Sequence, residues 1–175
     1  MKIATLALLT FVLCFSNKQL VAQPSAFKNK NSVQLDVGGH TVFYSLNYER
    51  ILFNCPRFKT TVQTGIAYYP PVLNIIPLWI PLSINEIVSF GNHHFELGMG
   101  VMPVAEKTYL TPMGSEELMW NVFLTGRVGY RYQKPDGKFL FRAGLTPVGE
   151  YSWRAGDLTS MNVHFLPGLS FGYSF

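Results

Sequence analysis

The sequence predicts an all-β fold: an eight-stranded antiparallel up-and-down transmembrane β-barrel. Three observations lead to this prediction. Large apolar residues alternate with small or polar ones along most of the chain, charged residues are scarce, and short connections alternate with longer ones. Alternation with period two is typical of β-strands whose two faces meet different surroundings.

The composition limits the class of protein. Of the 175 residues, 48% are hydrophobic and only 14% are charged, whereas an average soluble domain carries about 25% charge. Disorder requires low hydrophobicity and high charge, so the composition argues against it. The net charge of +4 comes from 14 basic and 10 acidic residues that form no basic run, which argues against nucleic-acid binding.

Residues 1–22 are predicted to be a cleaved signal peptide. Lys2 supplies a positive charge, an apolar stretch runs from Ile3 to Phe15, and Ala22 is a small residue at the expected cleavage point. The stretch is shorter than the roughly 20 residues of a spanning helix, which disfavours an uncleaved anchor. The mature domain is then 23–175, and its single Cys55 cannot form an internal disulfide.

The alternation is clearest in five segments, 58–69, 94–104, 119–133, 139–149 and 162–175. One face of each segment is large, aromatic and continuous, while the other consists of small or amide residues and isolated charges. The polar face of a soluble β-sandwich would instead be rich in Lys and Glu. The small face therefore suits the inside of a narrow barrel, and the aromatic face suits lipid.

The connections predict how these strands are joined. Short turns are expected at 54–57, 91–93 and 134–138, and longer loops near 69–76, 105–118 and 150–161. Transmembrane barrels have short turns on one side, longer loops on the other and an even number of strands. Parity therefore requires a first strand at 31–37, which brings the total to eight.

Two places in this scheme leave alternatives open. Gly38-Gly39 fits either a turn after the first strand or a bulge within one long strand. Pro77 and Pro81 each remove a donor from the strand expected at 76–88. That strand therefore either starts late, near Leu82, or is bulged.

Aromatic residues are predicted to form two belts at the membrane interfaces. The belt on the short-turn side comprises Tyr130, Tyr132, Phe139, Phe171, Tyr173 and Phe175, and the belt on the loop side comprises Tyr68, Trp79, Trp120, Tyr151 and Trp153. Tyr151 and Trp153 are also candidate contacts for an external partner, because loops carry binding more often than the scaffold does.

The last residues carry the most specific pattern. Leu169, Phe171, Tyr173 and Phe175 follow one another at steps of two up to the final residue, which resembles the assembly signature of outer-membrane barrels. Together with YSLNYER at 44–50, PLSIN at 81–85, FELGMG at 95–100 and GYRYQ at 129–133, the chain resembles the small outer-membrane β-barrel proteins of Gram-negative bacteria. The resemblance implies export to the cell outer membrane, contact with outer-membrane lipid and the barrel-assembly machinery, and no catalytic residues.

Six charged residues are expected to face the lumen, namely Glu49, Lys59, Glu96, Arg127, Arg131 and Arg142. An eight-stranded barrel is just wide enough for its own side chains, and buried charges must be paired. These residues are therefore interpreted as a polar network that fills the barrel. A charged pore or a small-ligand site is the alternative.

These observations favour a structural or surface-interaction protein, monomeric, without cofactor or enzymatic activity, whose loops 105–118 and 150–161 are the places to seek an extracellular ligand. Narrow transport or ligand binding is the first alternative. A lipid-modifying enzyme is the second, since Asp157, Ser160 and His164 lie close together near a predicted loop.

Overall fold

The computed structural model describes residues 26–41, 43–69, 78–109, 116–151 and 161–175, and these residues form an all-β structure. The strands are β1 (Asn31–Gly38), β2 (Tyr44–Asn54), β3 (Phe58–Tyr68), β4 (Leu78–Trp79), β5 (Leu82–Phe90), β6 (His93–Tyr109), β7 (Glu116–Gln133), β8 (Phe139–Tyr151) and β9 (Met161–Ser174). No helix in this part of the chain is long and apolar enough to cross a membrane.

The strands close into a barrel. Apart from β4 and β5, strands that follow one another in sequence pair antiparallel, and β9 returns to pair with β1 through Ser32–Ser174 and Leu35–Phe171. The short β4 and the longer β5 both lie between β3 and β6, so together they make one strand of the wall. The predicted eight-stranded antiparallel up-and-down barrel is confirmed.

The structure resolves the choice at Gly38-Gly39 in favour of a turn. Both glycines have positive φ, 73° and 78°, a conformation that L side chains rarely adopt. A Cβ on Gly38 would also lie 2.4 Å from the Pro167 carbonyl oxygen. The two glycines therefore let β1 reverse into β2 close against β9.

The wall strand at 78–90 is interrupted, as the prolines predict. β4 ends at Trp79 and β5 begins at Leu82. Across the break the Ile80 amide donates to the Pro103 carbonyl and the Pro81 carbonyl accepts from the Gly65 amide, each at 2.9 Å. Bonds to both neighbouring strands thus hold the wall together where Pro81 lacks a donor, while Pro77 lies outside the described residues.

The two faces of the wall differ sharply. Leu35, Leu46, Ile84, Leu97 and Phe171 are among the many large apolar side chains exposed on the outside. The positions between them are buried and mostly polar. The apolar excess of the composition therefore lies on the outer surface.

The long connections are shorter than predicted. The β6–β7 ladder continues to the Tyr109–Glu116 pair, and the β8–β9 ladder continues to Tyr151–Met161. The expected loops at 105–118 and 150–161 are therefore partly strand. The error arises because backbone hydrogen bonds can extend a ladder through polar residues once neither face needs apolar side chains.

Candidate functional site in the barrel lumen

The structure places all six predicted lumen charges inside the wall, and each has at most 3% of its surface exposed. Alternation along the strands accounts for this, because successive side chains of a strand point to opposite faces and these six share the inward phase. Five of the six meet in one ion-pair network, formed by Glu49, Glu96, Arg127, Arg131 and Arg142. Lys59 does not join it.

One half of the network is built around Glu49 on β2. The Arg131 guanidinium on β7 approaches both carboxylate oxygens, with Nη2–Oε1 at 2.8 Å and Nη1–Oε2 at 3.0 Å. Such a two-pronged pair is the strongest form of a charge-assisted hydrogen bond. Arg142 lies 3.5 Å from the same carboxylate, and the Gln133 amide oxygen accepts from Arg131 at 2.6 Å and 2.9 Å.

The other half is built around Glu96 on β6. Arg142 on β8 donates to its Oε1, which also lies 3.1 Å from Arg127 Nε. Arg131 stands 3.9 Å from Oε2. Glu96 therefore links all three arginines, and the network joins four strands across the lumen.

Several lumen residues were missed by the sequence reasoning. Gln34 and Gln63 accept hydrogen bonds from Arg142, and Gln63 also donates to Asp36 at 3.4 Å. Asp36 is buried and supplies a third carboxylate, so the charges of this layer balance as three arginines against three acids. The sequence could have predicted the inward position of Gln34 and Asp36, because they alternate with the outward Val33, Leu35 and Val37.

Glycines in the wall provide the space for two lumen asparagines. Asn85 of β5 lies across Gly98 of β6, where a Cβ would stand 2.0 Å from its Oδ1. Asn47 covers Gly65 in the same way at 1.8 Å. A glycine on one strand thus leaves space for the asparagine side chain of the neighbouring strand. Paired small and large residues of this kind fill a narrow lumen.

Phe27 closes the lumen at its short-turn end. Its ring is 2% exposed and packs edge-on against His94, with centroids 5.0 Å apart. Lys59 Nζ lies 4.6 Å from the ring centroid and also donates to Pro56 O and Ser89 Oγ. Two hydrogen bonds to the Asn54 side chain anchor the Phe27 backbone. Lys59 thus belongs to this mouth and not to the central network.

An apolar cluster closes the loop end. It consists of Ala67, Tyr69, Trp79, Met102, Val104 and Val148. The Tyr69 hydroxyl accepts from the Phe43 amide and donates to the Tyr44 carbonyl, both at 3.2 Å. The prediction that Trp79 lies in the outer aromatic belt is wrong, since it is 7% exposed and packs on Tyr69. The odd positions of this wall strand face inward.

His40 lies in the β1–β2 turn beside the upper part of the network. It is 1% exposed, and neither ring nitrogen has a hydrogen-bond partner. Burial, with the nearby Arg127 and Arg142 charges, lowers its pKa from 6.5 to about 3. The imidazole is therefore neutral at physiological pH.

The remaining predicted site residues do not converge on a second site. Leu169, Phe171 and Tyr173 are exposed on the outer face of β9, and Phe175, which follows the last residue of β9, is also exposed. His164 is exposed near the loop end of β9, while Asp157, Ser160 and Trp153 lie outside the described residues. Tyr151 is the last residue of β8. Within the described ranges no three His, Cys, Asp or Glu side chains are grouped so as to hold a metal ion.

Comparison with solved structures places this geometry among known folds. The N-terminal β-barrel domain of Pseudomonas aeruginosa OprF is similar over 86% of this chain and 100% of its own, with a TM-score of 0.57 and 11% sequence identity. Neisserial surface protein A is similar over 83% and 93% of the two chains, with a TM-score of 0.46 and 13% identity. No family model and no curated protein matches the sequence. In fold, this chain is an eight-stranded β-barrel of the kind formed by the OprF N-terminal domain.

Proposed function

We propose that this chain is an integral outer-membrane protein with a structural or surface-interaction role and a lumen filled by its own side chains. The observation that carries the proposal is the distribution of polarity. Outward strand positions are apolar nearly throughout the described wall, whereas charged and amide side chains are buried inside. A soluble barrel has the opposite arrangement, because polar groups are stabilised by contact with water and apolar groups by burial away from it.

The blocked lumen argues for a structural role over transport. Phe27 covers one mouth, the Tyr69–Trp79 cluster covers the other, and the arginine–glutamate network crosses the middle. A solute would have to displace all three layers, and opening the middle one would separate buried ion pairs. Narrow transport or ligand binding, the alternative, therefore requires a large rearrangement.

The β6–β7 hairpin supports the surface-interaction part of the proposal. Among the described residues, β4 pairs with β6 only as far as Ala105, and β8 pairs with β7 only from Phe123. Residues 106–109 and 116–119 therefore pair with each other as a two-stranded ribbon beyond the wall. Strand edges that have no partner among the described residues can add a strand from another chain. This ribbon, together with Tyr151 at the adjoining end of β8 and Trp153 two residues later in the sequence, is where we expect a partner to bind.

Membrane fractionation combined with gel mobility tests the proposal. We expect the mature chain in the outer-membrane fraction, with faster mobility before heating than after it, because the closed barrel resists detergent. A water-soluble chain without heat-dependent mobility would refute the proposal. In planar bilayers we expect no steady conductance, and a reproducible open level would favour the transport alternative.

The second alternative, a lipid-modifying enzyme, makes a different prediction. We expect no enzymatic activity, so a deletion strain should keep its lipid A and phospholipid profile. A lost or altered lipid species, restored by the intact gene but not by a His164→Ala variant, would support the enzyme instead.

A further inference from the structure

The outer face of the wall carries two charges that the lumen network does not use. Among the strand side chains that the structure describes, only Arg50 on β2 and Glu86 on β5 are charged and face outward. Arg50 is exposed and makes no side-chain hydrogen bond or ion pair with any other described residue. Glu86 is half-buried and accepts a hydrogen bond from the Thr60 hydroxyl at 2.8 Å. Charges on this face are unfavourable in lipid unless something neutralises them.

The ladder places these two charges on either side of β3. Arg50 pairs with Val62, which pairs with Ile84, and Glu86 lies two residues from Ile84 toward the short turn. Strand spacing and rise put their Cα atoms about 10 Å apart across the sheet and about 7 Å along it. The two side chains do not meet, yet a small group carrying both charges can bridge them.

Two apolar grooves lie on the outer face to either side of β3, from the level of Arg50 toward the loop end. The larger crosses β3, β5, β6 and β7, and the smaller crosses β1, β2 and β3. One holds about 660 Å³ and includes Val62, Leu82, Ile84 and Met99 in its lining. The other holds about 320 Å³ and includes Val33, Leu46, Thr64 and Ile66 in its lining. The short side chains Val62 and Thr64 separate them. A molecule with a charged head and two apolar chains therefore fits this part of the wall.

We propose that the β3 wall binds one phospholipid whose headgroup carries a phosphate and a primary ammonium. The phosphate binds Arg50, the ammonium donates to the Glu86 carboxylate, and one acyl chain lies in each groove. An arginine beside a phosphate and a carboxylate beside an ammonium are both charge-assisted hydrogen bonds. The site lies on the short-turn side, so it selects lipid of that leaflet. This proposal rests on the membrane location proposed above.

Native mass spectrometry of the detergent-solubilised barrel tests the site. The probes are phosphatidylethanolamine, phosphatidylcholine and phosphatidylglycerol with identical acyl chains. We expect one phosphatidylethanolamine per chain, retained several-fold better than the other two. Phosphatidylcholine lacks ammonium N–H donors, and phosphatidylglycerol lacks the positive charge.

The variants separate the two halves of the headgroup. Arg50→Gln should weaken binding of all three lipids about tenfold, the loss expected for one charge-assisted hydrogen bond. Glu86→Gln should abolish the preference for phosphatidylethanolamine over phosphatidylcholine and leave phosphatidylglycerol binding unchanged. Arg57→Gln, the same change of charge in the exposed β2–β3 turn, is the matched control and should bind like the unmodified chain. Heat-dependent gel mobility verifies that each variant is folded.

Three outcomes would overturn the proposal. In the first, the three lipids bind equally well to the unmodified chain. In the second, the Arg50 and Glu86 variants bind like the Arg57 control. The third is a protein dimer that Arg50→Glu dissociates and that adding Glu86→Arg restores, which would assign the wall to a second copy. A barrel that enters micelles without lipid preference refutes only this site, whereas a chain that needs no detergent refutes the membrane location itself.

Discussion

Replacing Glu49 by alanine tests whether the lumen network holds the barrel together. The change removes the two-pronged contact to Arg131 at 2.8 Å and 3.0 Å and the contact to Arg142 at 3.5 Å. Arg131 keeps Gln133 and a distant Glu96 oxygen at 3.9 Å, so its charge stays buried and poorly compensated. Breaking a buried pair in this way costs about 3–5 kcal/mol, a large part of the roughly 5–15 kcal/mol that stabilises a typical protein.

Urea unfolding of the barrel refolded into lipid vesicles, followed by tryptophan fluorescence, measures this loss. With a slope of about 2 kcal/mol per molar urea, a loss of about 4 kcal/mol lowers the midpoint by about 2 M. Removing both partners in Glu49→Ala/Arg131→Ala should cost less than the sum of the single changes, because no orphaned charge remains. Asp136→Ala in an exposed turn is the control and should change stability by less than about 0.5 kcal/mol. A Glu49→Ala midpoint within 0.5 M of the unmodified barrel, on the slope used here, would refute the reasoning.

Four further predictions use the same refolded barrel. Phe27→Ala should lower the unfolding free energy by about 3 kcal/mol through the lost ring packing, without opening a conductance; a steady current would contradict the three-layer block. Tyr69→Phe removes a hydroxyl that makes two hydrogen bonds and should cost about 1 kcal/mol; an unchanged midpoint would show that these bonds are dispensable. His40 has a pKa of about 3 in the folded barrel, well below its ordinary 6.5, so the unfolded chain binds a proton more readily. The free energy of unfolding should therefore fall as the pH drops from about 6.5 toward 3. His40→Gln should remove this pH dependence, and an unchanged pH profile would assign the dependence to other groups. Phe175→Ala should reduce the assembled fraction in cells and leave refolding in vesicles unchanged; equal assembly in cells would argue against a terminal recognition signature.

The fold could be predicted because each strand carries the same two-faced pattern. Parity located the weakest strand at 31–37, and two prolines located the break between Trp79 and Leu82. The ends of β6 and β7 could not be predicted in this way, because their outermost pairs run through polar residues such as Lys107 and Thr108. Where the two faces of a ladder no longer differ in polarity, side-chain alternation no longer reports the strand.

The same alternation predicted that the six charged side chains face the lumen. It could not predict which of them pair with one another. Which arginine meets Glu96 depends on the stagger between strands far apart in sequence, and no local pattern records that stagger. The role of Phe27 in closing the short-turn end of the lumen was missed for a related reason. Phe27 precedes the first strand, and only the closed barrel brings it beneath His94 and Lys59.

The balance of three arginines against three carboxylates in the middle of the lumen has a consequence for the solutions in which the barrel stays folded. Dissolved ions screen charge pairs that they can approach, over about 10 Å at 0.1 M salt. Here Phe27 and the Tyr69–Trp79 cluster stand between the network and bulk water at both mouths. Ionic strength should therefore change the free energy of unfolding of the barrel very little. A cell that moves between dilute and salty water could keep this protein folded in both.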